Sequence, residues 1–233
     1  MNQCKTSASS ESNIGTASVI VVYPVEKACA MNKIDLSARP VQFKGSALAH
    51  ALLCLAGWRI KWSGLPAKQG VILVYPHTSN WDFIVGLFAK WAIGLPVHFW
   101  AKNSLFKVPL FGRWLRWLGG IAVDRGSARG VVGDTVAAMQ SARERDAHFW
   151  LAVAPEGTRS LTTGWRSGSY QVAVQAKVPV GLAYFDFSSK TVGLHEFVEL
   201  SGNLQQDFNL MHQHLAQRKG KRPHMASPVQ LKS

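Results

Sequence analysis

From Gly70 onward, short apolar runs rich in β-branched and aromatic residues alternate with stretches of helical periodicity. The apolar runs cover residues 71–75, 96–101, 120–123, 148–154 and 178–187. Between them, apolar residues recur at helical spacing in residues 81–91 and 128–145. Strands that are apolar almost throughout are buried on both faces. The pattern therefore predicts a single α/β domain with a mostly parallel sheet covered by helices on both faces.

The two ends of the chain lack this pattern. Residues 1–44 are rich in Ser, Asn and Lys without sustained periodicity, and we expect a poorly structured N-terminal extension. Residues 45–215 form the predicted domain. The basic, turn-rich residues 216–233 are expected to be a mobile tail.

One segment near the start of the domain suits a membrane interface. Residues 46–62 are predicted to be an apolar helix that ends in alternating Trp and basic residues. A core helix with snorkelling basic side chains is an equal alternative. No uninterrupted apolar stretch reaches the roughly 18 to 20 residues that cross a bilayer, and residues 83–101 are better divided into a helix and a strand. Three scattered cysteines favour a reducing, cytoplasmic environment.

The charge balance indicates an anionic partner. Lys and Arg number 26 against 13 Asp and Glu, which leaves a formal net charge of +13. Nucleic acid, an anionic membrane or a phosphorylated substrate would each suit this charge. Nine tryptophans beside many arginines favour the headgroup region of a membrane, although tryptophan is also ordinary core material.

Polar residues follow four predicted strands, and in open α/β sheets ligands bind beyond the carboxyl ends of the strands. His77 lies five residues before Asp82, where a loop turns into a helix, so that the carboxylate could hold one ring nitrogen and leave the other free as a general base. The alternative is that Asp82 only caps the helix. Asp124, Arg125 and Asp186 follow two further strands.

The loop after the strand 148–154 suits phosphate binding. Gly157 lets the backbone approach a ligand closely, and Thr158 offers a hydroxyl group. Arg159 could bind a phosphate through two parallel hydrogen bonds, with Arg125 as a second cation. An ordinary polar loop with a salt bridge is the alternative.

Other chemistries lack their signatures. The sequence has no Gly-x-Ser-x-Gly, Gly-x-Gly-x-x-Gly or P-loop pattern. Neither the histidines nor the cysteines have the spacing of a zinc site. We therefore expect no metal and no cofactor.

Four motifs in this order resemble the glycerophospholipid acyltransferases, among them the bacterial 1-acylglycerol-3-phosphate acyltransferases. They are residues 77–82 (HTSNWD), 119–125 (GGIAVDR), 155–160 (PEGTRS) and 178–180 (VPV), and the resemblance covers about half of the chain. It implies His77 as the base and Asp82 as its orienting partner. It also implies that Arg125, Glu156, Gly157, Thr158 and Arg159 hold the acceptor's phosphate, and that Val178 and Pro179 shape the acyl side.

The resemblance implies transfer of a fatty acyl chain to the hydroxyl of a lysophospholipid, with 1-acylglycerol 3-phosphate as the simplest acceptor. The donor would be acyl-CoA or acyl carrier protein. Since the acceptor's own hydroxyl attacks the thioester, no serine or cysteine nucleophile is needed. Residues 102–118 interleave apolar and basic side chains, which favours contact with an anionic membrane over a core helix. We expect a peripheral protein on the cytoplasmic face of the membrane.

Two other functions remain open at this stage. The same site could serve another acceptor, such as a different lysolipid, glycerol phosphate or water. Alternatively, the chain could be a basic membrane- or nucleic-acid-binding protein without catalysis, although charge alone explains neither the His-x4-Asp nor the Glu-Gly-Thr-Arg-Ser motif. We expect no nucleic-acid partner.

Overall fold

A computed structural model describes residues 41–123 and 128–232. Within these residues, seven strands form one sheet. The strands are β1 (Arg59–Trp62), β2 (Gln69–Tyr75), β3 (Val97–Lys102), β4 (Gly120–Val123), β5 (Phe149–Val153), β6 (Val180–Asp186) and β7 (Thr191–Val198). Their order across the sheet is β1-β7-β6-β2-β5-β3-β4.

Most neighbouring strands run parallel. β2 lies between β5 and β6 and is parallel to both, and β3 joins β5 to β4, again with parallel pairing. β7 is antiparallel to β6, and β1 is parallel to β7. The predicted mostly parallel α/β sheet is confirmed, and its five parallel strands end at the same edge.

Helices cover both faces of the sheet. They are α1 (Ala47–Leu55), α2 (Asn80–Ile93), α3 (Asn103–Phe106), α4 (Phe111–Trp117), α5 (Ala128–Glu144), α6 (Gly168–Ala176) and α7 (Leu204–Leu215), followed by a short 3-10 helix at Pro223–Met225. On one face, α5, α6 and α7 bury Val71, Leu73 and Tyr75 of β2. On the other face, α1 and α2 pack over the alternate strand residues such as Ile72 and Val74.

The sequence suggested that residues 46–62 form one helix, but the structure divides them into a helix and a strand. α1 ends at Leu55, Gly57 follows with a φ of 79°, and residues 59–62 become the edge strand β1 beside β7. Trp58 is buried against Phe187. The pairing with β7, a strand that was not predicted, and the packing of Trp58 on Phe187 decide the conformation. The division of residues 83–101 into a helix and a strand is confirmed by α2 and β3.

Residues 216–232, which were expected to be a mobile basic tail, contact the domain at several points. Ser227 and Val229 are buried, and the backbone of Trp165 exchanges hydrogen bonds with Gln230 and Lys232. The charge pattern did not reveal this because the attachment uses mainly backbone groups. The predicted N-terminal extension falls on residues 1–44, of which 1–40 lie outside the described part of the chain. No helix in the described ranges is long and apolar enough to cross a membrane.

Candidate active site

His77 lies where β2 ends and α2 begins. Ser79 caps α2, and its hydroxyl accepts a hydrogen bond from the Trp81 backbone N–H at 3.1 Å. Asp82 completes a capping box in the first turn of the helix. This local arrangement brings Asp82 back towards the loop that contains His77.

Asp82 contacts the imidazole directly. Its Oδ2 lies 3.2 Å from His77 Nδ1 and accepts hydrogen bonds from the backbone N–H groups of Thr78 and Ser79, each at 2.8 Å. The Asp82 side chain is fully buried, whereas that of His77 is 23% exposed. With Nδ1–H facing the carboxylate, Nε2 is the ring nitrogen left for proton transfer. The two interpretations of Asp82 are therefore compatible, since one carboxylate both caps α2 and orients His77.

Glu156 does not line the cavity beside His77, and this corrects its expected place in the phosphate site. The residue is 2% exposed. Its carboxylate accepts a hydrogen bond from the His77 backbone N–H at 2.6 Å and one from the Ser227 backbone N–H at 2.8 Å. Burial raises the pKa of Glu156, although these hydrogen bonds act in the opposite direction. Glu156 thus connects two loops instead of facing a ligand.

The loop that follows Glu156 does face the cavity. Gly157 has a φ of 67°, and a Cβ atom there would lie 2.6 Å from Nε of Arg166. Glycine therefore satisfies the left-handed backbone and leaves space for the guanidinium group. Thr158 and the exposed Arg159 line the same cavity.

A cavity of about 1050 Å³ opens between this loop, the end of β3 and helices α5 and α6. Its lining includes His77 and four cationic side chains, those of Lys102, Arg159, Arg166 and Lys232. Among the described residues that line it, none is acidic. The cavity therefore suits a ligand with a concentrated negative charge, such as a phosphate ester.

A second cavity of about 250 Å³ lies between α2 and the sheet. Its walls are mainly aliphatic and aromatic side chains, among them Ile72, Phe83 and Phe185. His77 lines both cavities. The imidazole thus lies at the junction of a cationic and an apolar space.

Two expected site residues, Val178 and Pro179, are not brought to His77. Val178 and Pro179 line neither cavity, because they precede β6 and lie at the opposite edge of the sheet. There the Pro179 carbonyl accepts a hydrogen bond from Val71, near the start of β2. Their expected place on the acyl side is therefore corrected. Arg125, together with Asp124, falls outside the described residues.

Sequence reasoning also missed cations of the larger cavity. Lys102 is the last residue of β3, so the same strand-end argument that selected His77 could have found it. Arg166 and Lys232 carry no such signal, because loop contacts place them. Asp186, expected at a strand end, accepts hydrogen bonds from Ser188 in the turn after β6. Within residues 41–123 and 128–232, no three His, Cys, Asp or Glu side chains are grouped to hold a metal ion.

Comparison with known proteins shows the family of the chain. A family model described as Acyltransferase matches residues 59–181, more than half of the chain. The chain belongs to this acyltransferase family. The matched residues contain His77, Asp82 and the loop 155–160, so the residues at the junction of the two cavities lie within the family region.

Two curated members of the family are similar in sequence. The 1-acyl-sn-glycerol-3-phosphate acyltransferase of Borreliella burgdorferi is 30% identical over 129 residues, which cover 53% of this chain and 49% of that protein. The enzyme of the same name from Pseudomonas aeruginosa is 33% identical over 139 residues, which cover 54% and 49%. The match thus spans about half the length of these relatives.

A solved structure is also similar. It is the 1-acyl-sn-glycerophosphate acyltransferase of Thermotoga maritima, at 18% identity and a TM-score of 0.48, over 72% of this chain and 73% of that one.

Proposed function

We propose that this acyltransferase moves a fatty acyl chain from an acyl thioester to the free hydroxyl of 1-acylglycerol 3-phosphate, a lysophospholipid. The observation that carries the proposal is the position of His77 between a cation-lined cavity and an apolar cavity. The curated relatives bear the name of this activity. In this assignment the larger cavity takes the phosphate and the smaller one takes the fatty chain.

His77 would act as the general base. Its Nε2 takes the proton from the acceptor hydroxyl as the oxygen attacks the thioester carbonyl. The tetrahedral intermediate collapses by breaking the carbon–sulfur bond, and the departing thiolate takes the proton from the imidazolium. The products are a diacylated phospholipid and a free thiol. Asp82, in contact with Nδ1, stabilises the transient positive charge.

Four cations would hold the acceptor. Arg159 and Arg166 offer paired N–H donors to phosphate oxygens, and Lys102 and Lys232 add positive charge. The aliphatic walls beneath α2 would exclude water from the acyl chain. Acyl-CoA or acyl carrier protein would deliver that chain as a thioester.

A membrane surface is the proposed source of the acceptor. We define the aromatic surface as the exposed apolar side chains at the start of α2 and along α3 and α4: Trp81, Phe83, Ile84, Leu105, Val108, Leu110, Phe111, Trp114 and Trp117. The Phe83 and Trp114 rings lie 6.4 Å apart, so the two parts meet, and Phe83 lines the same apolar cavity as His77. Lys107, Arg113 and Arg116 lie among these residues. Aromatic and cationic side chains together suit anionic headgroups.

Acyl transfer with matched variants tests the assignment. Labelled acyl-CoA or acyl carrier protein thioester is offered with 1-acylglycerol 3-phosphate. We expect H77A to lower kcat by about 10²- to 10⁴-fold. R159A should raise the acceptor KM by about tenfold or more, since charge-assisted hydrogen bonds are lost. H212A and R145A alter exposed residues that line neither cavity and serve as controls.

Two results would contradict the proposal. Transfer by H77A at the wild-type rate would remove His77 from the reaction. If the folded wild type acylates only another lysolipid, glycerol phosphate or water, the proposed chemistry of the site would stand, but 1-acylglycerol 3-phosphate would not be its acceptor.

A further inference from the structure

The C-terminal segment, residues 218–232, lies against the loops that form the candidate site. It is outside the family match, which ends at residue 181. Gly220, Ser227 and Val229 of this segment are buried. Among its contacts with the domain, three sets involve residues beside His77 or the wall of the cationic cavity.

The first attachment is to the His77 loop. The Arg222 backbone N–H donates a hydrogen bond to Thr78 Oγ1 at 3.2 Å. Gly220 packs so closely that a Cβ atom there would lie 2.5 Å from Thr78 Oγ1 and 3.1 Å from Cγ of Pro76. The segment therefore rests on the residues on both sides of His77, and any side chain at position 220 would displace them.

The second attachment runs through Glu156. Ser227 donates its backbone N–H to one carboxylate oxygen, and His77 donates its backbone N–H to the other. The Ser227 hydroxyl also accepts a hydrogen bond from the Thr162 backbone N–H at 3.1 Å. A buried carboxylate requires such donors, so the segment and the His77 backbone are held at one point.

The third attachment brings a cation to the cavity. Trp165 pairs with Leu231 in a parallel bridge, in which Trp165 N–H donates to the Gln230 carbonyl and Lys232 N–H donates to the Trp165 carbonyl. Trp165 is 1% exposed, so the bridge rests on a fixed core residue. Leu231 and Lys232 line the same cavity as Arg159.

We propose that the C-terminal segment is a working part of the acceptor site, in which Gly220 and Ser227 position His77 and Lys232 binds the acceptor's phosphate. This inference rests on the proposed function. Gly220 and Ser227 are positioning residues, since they act through Thr78 and Glu156. Lys232 acts directly, as one of the cations of the cavity.

The Lys232 part is tested by a kinetic comparison within the segment. We expect K232A to raise the acceptor KM by about tenfold with little change in kcat, and K232R to restore most of the affinity. K219A removes the same charge from the same segment, but Lys219 does not line the cavity. An unchanged KM in K232A, or an equal rise in K219A, would overturn this part.

The positioning part is tested by a double-mutant cycle. G220A should lower kcat by about tenfold to a hundredfold, because the new methyl group pushes the His77 loop out of place. T78A removes the two Thr78 atoms nearest that methyl group, so G220A/T78A should have a higher kcat than G220A. K219A, at the neighbouring position, is again the control. Wild-type kcat in folded G220A, or no recovery in the double variant, would refute the positioning role.

A binding measurement separates this inference from the proposed function. Isothermal titration calorimetry of glycerol 3-phosphate with wild type, K232A and K219A requires no turnover. Weaker binding in K232A alone supports the phosphate site even if the wild type transfers no acyl group. Equal binding in all three proteins overturns it even if transfer is observed. This result also decides the Lys232 part if G220A fails to fold.

Discussion

At the scale of single residues, Asp82 serves a helix and a histidine with the same carboxylate. Its Oδ2 accepts two backbone hydrogen bonds from the residues before α2 and lies beside His77 Nδ1. This pairing was predictable, because a helix start within five residues of His77 confines both side chains to one turn. The two roles could not be separated from the sequence, since capping and histidine orientation require the same residue at the same spacing.

Glu156 shows the limit of that local reasoning. Its partners, His77 and Ser227, are 79 and 71 positions away in the chain. A carboxylate in a polar loop is expected to face solvent or a ligand, and only the adjacency of β2 and β5 brings the His77 backbone within reach. Burial and, to a lesser extent, the Glu156 charge raise the pKa of Tyr75 to about 12, so that this phenol stays protonated.

The raised pKa of Glu156 predicts a pH-dependent stability. The folded protein keeps a proton on this carboxyl group at pH values where the unfolded chain, with its ordinary pKa of 4.5, has lost it. The stability contributed by the group is therefore complete below about pH 4.5 and is lost as the pH rises through the raised pKa.

As the pH rises, we expect the free energy of unfolding of wild type to fall relative to that of E156Q, whose side chain at position 156 cannot titrate. The slope is at most about 1.4 kcal/mol per pH unit. Urea denaturation of both proteins at intervals from pH 4 to pH 8 measures it. Parallel stability profiles, or a wild type whose stability increases relative to that of E156Q as the pH rises, would show that burial is not the main influence on the pKa of Glu156.

At the scale of elements, α2 does more than cover the sheet. Its first turn holds Asp82, and its underside forms one wall of the apolar cavity. Gly86 lies on that wall, where a Cβ atom would be 3.0 Å from Cζ of Phe185. The sequence predicted the helix from its periodicity, but the space beneath it depends on how far the helix lies from the strands.

This cavity predicts a change in acyl-chain preference. We expect G86L to fill part of the space and to lower kcat/KM for long acyl donors by about tenfold relative to short ones, because each methylene that no longer fits costs about 1–3 kcal/mol. L87A enlarges the same cavity and should shift the preference towards longer chains. Competition between acyl-CoA donors of different length measures both. An unchanged chain-length profile in folded G86L would place the acyl chain elsewhere.

The edge strands β1 and β7 also depended on tertiary contacts. Residues 59–62 follow a helical pattern in the sequence, but their backbone pairs with residues 191–194. β7 in turn needs the antiparallel edge of β6. Strand formation at a sheet edge depends on the partner offered, whereas the central strands are long apolar runs whose burial is evident from composition.

At the scale of the whole molecule, the net charge of +13 and the aromatic surface point to one partner. Arg113 lies on α4 within that surface. Helix α5 begins beyond the end of β4 and returns along the sheet. Arg145, which follows α5, therefore lies at the opposite edge of the sheet from His77. The two arginines therefore offer a matched pair of equal charge and different position.

We expect R113E to weaken binding to vesicles that contain phosphatidylglycerol by about tenfold, since each basic residue near an anionic surface contributes about 1 kcal/mol. R145E makes the same change in net charge and should have a smaller effect. Co-sedimentation with vesicles at several salt concentrations measures both. Equal losses would mean that the overall charge, and not the aromatic surface, attracts the membrane.

The sequence alone determined the central strands, the two main helices and the His77–Asp82 pair, because each depends on residues close together in the chain. Tertiary structure decided the rest. The role of Glu156, the cationic lining of the larger cavity and the attachment of residues 218–232 join positions that are tens of residues to 144 residues apart. Such contacts follow from the order of strands across the sheet, and no periodicity or local spacing records that order.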